Sequence, residues 1–236
     1  MNSPVRAGLA VDWPGQVRRA LQALADPQRA PAMQAYMRGQ FEFFGIPTRA
    51  RRQAVAALVR PRQTAGELLA NAKALWAMPE RECQYVAVDL LARQHRTLGM
   101  GDIPAILDLA QAKPWWDSVD GLASVVGDVV RVARIADASA QQVMDAALRH
   151  DNLWVRRIAM LHQLGWRGDT DRERLFGYTL ALAGEADFFI RKAIGWALRD
   201  FARHEPQVVI DFLNGAGRGL SALSRREAGK HLSGVL

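Results

Sequence analysis

The sequence predicts an all-α chain, and three observations carry that expectation. Apolar residues recur every three or four positions, as in Val86, Leu90, Leu91 and in Ile158, Leu161, Leu164. Strand signals are scarce, and the one Asp-Gly pair, Asp120-Gly121, sits inside a helical pattern. Proline falls where helices begin rather than within them. The architecture expected is a single-domain right-handed solenoid of about six helical pairs with a concave basic groove.

In chain order, the helix starts are marked by Asp26-Pro27, Ile46-Pro47, Met78-Pro79-Glu80, Ile103-Pro104, Lys113-Pro114 and Glu205-Pro206. Proline presets φ for a first turn whose N–H groups lack helical partners in any case. The segments between these marks run about 10–18 residues, which gives about twelve to fourteen helices joined by short turns. No Gly/Ser linker interrupts residues 1–236, so one domain is expected.

A repeat runs through the helices. The segment Trp154-Val155-Arg156-Arg157-Ile158-Ala159 resembles Phe189-Ile190-Arg191-Lys192-Ala193-Ile194, and the same spacing leads on to Ser224-Arg225-Arg226-Glu227-Ala228. Stepping back gives Ser118-Val119-Asp120-Gly121-Leu122, then Cys83-Gln84-Tyr85-Val86-Ala87, then Arg51-Arg52. The six slots lie about 35 residues apart, and one helical pair per slot is the size of a HEAT-like repeat. Equivalent positions of stacked repeats line up, so Arg51-Arg52, Arg156-Arg157, Arg191-Lys192 and Arg225-Arg226 are expected along one concave track. A solvated helix face explains any single doublet. Four doublets in phase favour a groove that follows a phosphodiester backbone.

Charge points the same way. The chain of 236 residues carries a net +7, distributed as +6 over residues 1–60, −2 over 61–150 and +3 over 151–236. Such a balance attracts polyanions. Arginine supplies 27 of the 31 cations; this suits bidentate phosphate contacts and equally follows from a GC-rich genome. No apolar run is long enough to span a membrane, and the start, Met1-Asn2-Ser3-Pro4, does not read as a secretory signal. The single cysteine, Cys83, excludes a disulfide framework and cysteine-based zinc fingers, and reads as core packing. A cytoplasmic protein of bacterial type, nucleoid-associated when on DNA and monomeric, is expected.

One slot of the basic track holds an acid, Asp120. Two readings stand. Asp117 as N-cap with Asp120 three residues into the helix forms a variant capping box. Alternatively, Asp120 faces positive charge developing on a nucleic-acid substrate. Aromatic residues cluster beside the same slots: Trp115 and Trp116, Trp154, Phe188 and Phe189, and Trp196. Helix neighbours point about 100° apart, so one of each adjacent pair is left to stack on a base or sugar. The five histidines show no i, i+4 pair, and no phosphate loop, dinucleotide fingerprint or nucleophile elbow is present; no metal and no cofactor are expected. Lys192 and Lys230 can reach the groove, which leaves a Schiff-base lyase open, although phosphate contact is simpler.

At these residues the chain resembles the AlkD-type DNA alkylation-repair glycosylases, built from HEAT-like repeats. The matching stretches are Tyr36-Met37, residues 41–47 (FEFFGIP), 79–82 (PERE), 115–120 (WWDSVD), 127–128, 154–157 (WVRR), 188–196 (FFIRKAIGW), 198–199 and 223–231 (LSRREAGKH). They cover most of the chain in family order; residues 1–20 match less well. The resemblance implies hydrolysis of the N-glycosidic bond of N3- and N7-alkylated purines in double-stranded DNA. It places the catalytic carboxylate on Asp120, active-site aromatics on Trp116 and Trp196, and a groove arginine on Arg157, holding a phosphate beside the lesion. It makes Tyr36 and Phe189 DNA-facing aromatics and Arg156 a backbone contact. With Arg51, Arg52, Arg191, Lys192, Arg225, Arg226 and Lys230, these form the expected DNA-binding set.

The chemistry agrees with the resemblance. An alkylated purine of this kind already carries positive charge and leaves as a neutral base, so no general acid is needed. A carboxylate can stabilise the oxocarbenium-like sugar and orient water. The alternative from a different class is a non-catalytic HEAT-repeat module that binds DNA backbone or an acidic protein, in which Asp120 is only a cap.

Overall fold

The computed structural model describes residues 12–232. The expectation about a leader at Met1 and the first part of the weakly matching stretch 1–20 lie outside the described residues. Within them are thirteen α-helices and no strand, apart from one parallel bridge between Glu42 and Glu80. The helices are α1 (Trp13–Gln22), α2 (Ala30–Tyr36), α3 (Thr48–Val59), α4 (Ala65–Ala77), α5 (Arg81–Arg93), α6 (Ile103–Gln111) and α7 (Trp116–Ala133). They continue as α8 (Gln142–Ala147), α9 (Leu153–Leu161), α10 (Arg172–Ala181), α11 (Phe188–Ala202), α12 (Pro206–Asn214) and α13 (Ala222–Ala228). No helix of the described residues is long and apolar enough to cross a membrane.

Proline marks most starts as expected: Pro104 and Pro206 open α6 and α12, and Pro47 is the N-cap of α3. Asp26-Pro27 does not start a helix. The Asp26 carboxylate instead accepts from the N–H groups of Gln28 and Arg29 at 3.0 and 3.1 Å, an Asx-type turn that delays α2 to Ala30. Where proline is missing, polar caps act. Thr64 and Glu67 form a reciprocal capping box on α4, and Asn152, Asp171, Asp187 and Ser221 cap α9, α10, α11 and α13.

The described residues gather into two compact units, divided between Leu90 and Leu91. In the first, residues 41–47 are a loop rather than a helix. The buried Glu82 carboxylate accepts from the N–H groups of Phe44, Gly45 and Ile46 at 3.1, 2.9 and 3.0 Å. Gly45 has φ +89°, and a Cβ there would stand 2.3 Å from the Asp26 carbonyl, so both conformation and space demand glycine.

In the second unit α7 packs on α9, α9 on α11 and α11 on α13, with α6, α8, α10 and α12 alongside. Every one of the six repeat slots falls on an odd-numbered helix, α3 to α13. On α7, Val119, Leu122, Val126, Val129 and Val130 form the buried stripe; each such side chain contributes about 1.5–3 kcal/mol on burial. Close approach of backbones fixes two crossings. A Cβ at Gly127 would lie 1.9 Å from the His162 carbonyl, and one at Gly195 would lie 2.4 Å from the Glu227 Cβ. These contacts lock α7 to α9 and α11 to α13.

Candidate active site

Four elements of the second unit assemble the site. Lys113 has φ +49°, in the left-handed region that residues with side chains rarely occupy, and turns the chain into α7. The N-cap of α7 is Trp115, and no side chain caps it. Trp116 is the first helical residue and half-buried. Asp120 lies four residues on, one turn along the same face. The capping-box reading of Asp120 therefore falls: the helix begins at Trp116, which puts Asp120 in the second turn, too far along to bond the first N–H groups.

The Asp120 carboxylate is held by α9. Its Oδ1 accepts from Arg157 Nε at 2.7 Å and its Oδ2 from Arg157 Nη2 at 2.8 Å. The Arg157 side chain is 1% exposed, whereas that of Asp120 is 22% exposed. Arg157 Nη1 donates to the Phe189 carbonyl on α11. All three guanidinium nitrogens are thus engaged inside the protein. The expectation that Arg157 holds a phosphate is corrected accordingly: its fork is turned onto Asp120, and burial removes it from any backbone outside. Each Asp120 oxygen retains a further lone pair beyond the one Arg157 takes. Burial pushes the Asp120 carboxyl above its ordinary value, and the Arg157 hydrogen bonds and charge bring it only part of the way back.

Aromatic rings border the pair. The Arg157 guanidinium lies 5.5 Å from the Trp196 ring centroid and 6.0 Å from that of Phe189. Phe189 packs at 5.1 Å from Trp115 and 4.9 Å from Trp154, and Trp115 and Trp154 are 5.9 Å apart. The caps position this cluster: Asn152 accepts from the N–H of Trp154, and Asp187 accepts from those of Phe189 and Ile190. Phe189, expected to face DNA, is half-buried in the cluster, while its neighbour Phe188 is exposed.

Trp196 has an anchor that the sequence did not reveal. Its Nε1–H donates to Glu227 Oε2 on α13 at 3.3 Å. The same carboxylate binds Lys192 at 2.9 Å, Lys230 at 2.8 Å and Arg199 at 3.2 Å. Burial raises the Glu227 carboxyl, but the hydrogen bonds and charges of Lys230 and Lys192 outweigh it and lower it to about 2. Both lysine amines that left a Schiff-base lyase open are therefore bound to one carboxylate.

The arginine doublets divide rather than pair outward, because neighbours on a helix point about 100° apart. In the first unit Arg51 is buried and binds Asp89 at 2.8 Å while stacking over Tyr85. Arg52, exposed, meets the same Asp89 at 2.8 Å, and Tyr36 is exposed at the end of α2. Burial of Arg51 corrects its place among backbone contacts. In the second unit Arg156 pairs with Glu185 at 2.9 Å and bonds the carbonyls of His150 and Asp151. Arg191 Nε donates to the Glu185 carbonyl, and Arg225 Nη1 to that of Leu213. Arg226 is exposed. Among the described residues no three His, Cys, Asp or Glu side chains gather as a metal site.

The family model of the DNA alkylation repair enzymes matches residues 17–232. The chain belongs to this family. A structure described as a predicted DNA alkylation repair enzyme from Enterococcus faecalis is 30% identical, with a TM-score of 0.81, covering 89% of this chain and 97% of that one. Lower in identity, and similar in fold alone, are two further structures. The smu.31 protein of Streptococcus mutans UA159 is 14% identical, with a TM-score of 0.63, over 94% of this chain and 100% of that one. The Pseudomonas fluorescens alkylpurine DNA glycosylase AlkC, bound to DNA containing an abasic-site analogue, is 16% identical with a TM-score of 0.51, over 94% of this chain and 63% of that one. No curated protein matches the chain.

Proposed function

We propose that this DNA alkylation repair enzyme is a monofunctional glycosylase that releases cationic N3- and N7-alkylated purines from double-stranded DNA. The observation that carries the reading is the pairing of a partly exposed carboxylate, Asp120, with a fully buried arginine, Arg157, beside the ring of Trp196. A carboxylate fixed in two directions at the edge of aromatic rings suits a cation that appears only as a bond breaks.

The electrons balance without an acid. The C1′–N bond breaks, and its electron pair moves to the base nitrogen and cancels the positive charge of the alkylated ring. C1′ is left as an oxocarbenium-like centre. The Asp120 carboxylate stabilises it and orients water, which attacks C1′ and loses its proton to the carboxylate or to solvent. Trp116, one turn before Asp120, and Trp196 offer electron-rich faces to the sugar, worth about 0.5–2 kcal/mol each. Arg157 acts through Asp120, holding the carboxylate in place. Arg226, Arg191 and Lys192 lie on α13 and α11 of the same unit and supply phosphate contacts, with Lys230 and Arg225 beside them.

The selectivity of the chemistry tests the reading. Purified protein in EDTA is given duplexes with single N7-methylguanine or uracil residues. Release of the first and not the second is expected, because neutral uracil leaves as an anion unless protonated. Efficient uracil release would show an acid or leaving-group site elsewhere. Failure to release N7-methylguanine while binding the duplex would favour a non-catalytic DNA-binding module.

A further inference from the structure

We propose that Glu227 is a positioning residue for the reaction, one that anchors the Trp196 indole and restrains the charge of the cations around it. The role rests on the reading of Trp196 as a ring that faces the sugar. Glu227 is 4% exposed, and its two oxygens receive one indole N–H and three cations, Lys192, Lys230 and Arg199. The same ring has Lys192 Nζ 5.7 Å and Arg199 Cζ 5.8 Å from its centroid, in addition to Arg157 at 5.5 Å. The contact is built into the backbone: Gly195 leaves no room between α11 and the Glu227 Cβ, so the next residue, Trp196, is carried to within reach of the carboxylate.

Two consequences follow. An N–H bonded to a carboxylate is a charge-assisted hydrogen bond, which fixes the plane of the indole. The carboxylate also opposes the cations clustered at the ring. Without it they would compete with a sugar cation for the ring's electrons and repel the charge forming at C1′. Removing Glu227 is therefore expected to divide two quantities that a purely structural residue would move together. DNA binding strengthens, since the cluster gains one net positive charge, while the chemical step slows.

The test compares Glu227→Gln with Glu227→Met in the full chain. Gln keeps an acceptor for the indole and drops the charge; Met keeps the length and drops both. Both variants should bind duplex DNA more tightly and steepen the salt dependence of binding by about one unit. In single-turnover release of N7-methylguanine, Glu227→Met should be about 5–10-fold slower than Glu227→Gln, the scale of one lost hydrogen bond. The Trp196 indole N–H resonance, identified by its loss in Trp196→Phe, should move in Glu227→Met and stay near its place in Glu227→Gln. Equal rates in the two variants, or an unchanged salt dependence, would overturn the proposal. If Glu227→Met does not fold, Glu227→Gln alone decides on the charge: tighter DNA binding with slower release supports the role, and unchanged binding or release rejects it. Failure of the wild-type protein to release any base would sink the glycosylase reading and this catalytic role with it, while the indole resonance would still report whether Glu227 anchors the ring.

Discussion

Asp120 and Arg157, 37 residues apart in the chain, face each other through two parallel hydrogen bonds of 2.7 and 2.8 Å. This fork joins α7 to α9 and aims a carboxylate that the sequence places in an otherwise basic slot. The buried partner is the cation, so the arginine depends on the aspartate for its neutralisation, while the aspartate keeps an outward edge.

Arg157 should therefore behave as a positioning residue. Arg157→Lys keeps the charge and loses the fork. It should lower base release by about tenfold or more, with little change in the salt dependence of DNA binding, because a buried and neutralised cation contacts no phosphate. Arg157→Met should destabilise the protein by about 3 kcal/mol, as breaking a buried pair does. A fall of one unit in the salt slope on Arg157→Lys would restore the phosphate role.

Cations that keep access to the surface, the exposed Arg226 and the half-buried Arg191, should show the opposite pattern. Arg226→Ala and Arg191→Ala should weaken binding to all duplex sequences alike and reduce the salt slope by about one unit each. Arg51→Ala should leave the slope unchanged and lower the melting temperature, since Arg51 is buried on Asp89. Filter binding across a salt series, set beside thermal melts, separates the two classes.

The helical class was legible in the spacing of Val86, Leu90 and Leu91 and in the prolines at Pro104 and Pro206. The six slots marked by the spacing fall on alternate helices, α3 to α13. Trp115 and Trp116 were legible as aromatics beside the Asp120 slot; that Trp116 sits one turn before Asp120 on the same face came only with the helix start. The partner of Asp120 was not legible. Arg157 reads as half of a surface doublet until α9 is packed on α7, and a pattern along the chain does not say which of two adjacent arginines turns inward. Residues 41–47 were recognised as a motif but not as a loop clasped by Glu82, and Glu227 was read only as part of a repeat slot and of a matching stretch. In each case the deciding contact spans more than thirty residues.

Stability should fall on mild acidification. His162 is buried, its Nδ1 is 2.6 Å from the Ala159 carbonyl, and burial lowers its ring to about 4 from the ordinary 6.5. Between those values the unfolded chain takes up a proton that the folded chain refuses, so stability is lost as pH falls from about 6.5 towards 4, by on the order of 3 kcal/mol. Below about 4 both states are protonated and this loss stops growing. Urea unfolding at several pH values should show this slope in the wild type and a shallower one in His162→Asn. Parallel slopes would show that the ring titrates normally.

Activity should depend on pH through Asp120 rather than through a histidine. On the proposed mechanism the ionised carboxylate is the active form, and burial raises its titration above the ordinary aspartate value. The rate on a cationic lesion should be nearly flat from about pH 6 to 8 and fall on the acid side earlier than an exposed aspartate would allow. A bell centred near pH 7 in single-turnover rates would instead implicate a titrating imidazole.

The most direct test is single-turnover release of N7-methylguanine from a duplex by wild-type protein and by Asp120→Asn. The amide keeps the size of the side chain and loses the charge that the proposal assigns to stabilising the sugar cation. Release by a folded Asp120→Asn protein should drop by about 10²-fold, near 2.7 kcal/mol of transition-state stabilisation, with DNA affinity unchanged or higher. Release at the wild-type rate by that same folded variant would contradict a catalytic role for Asp120.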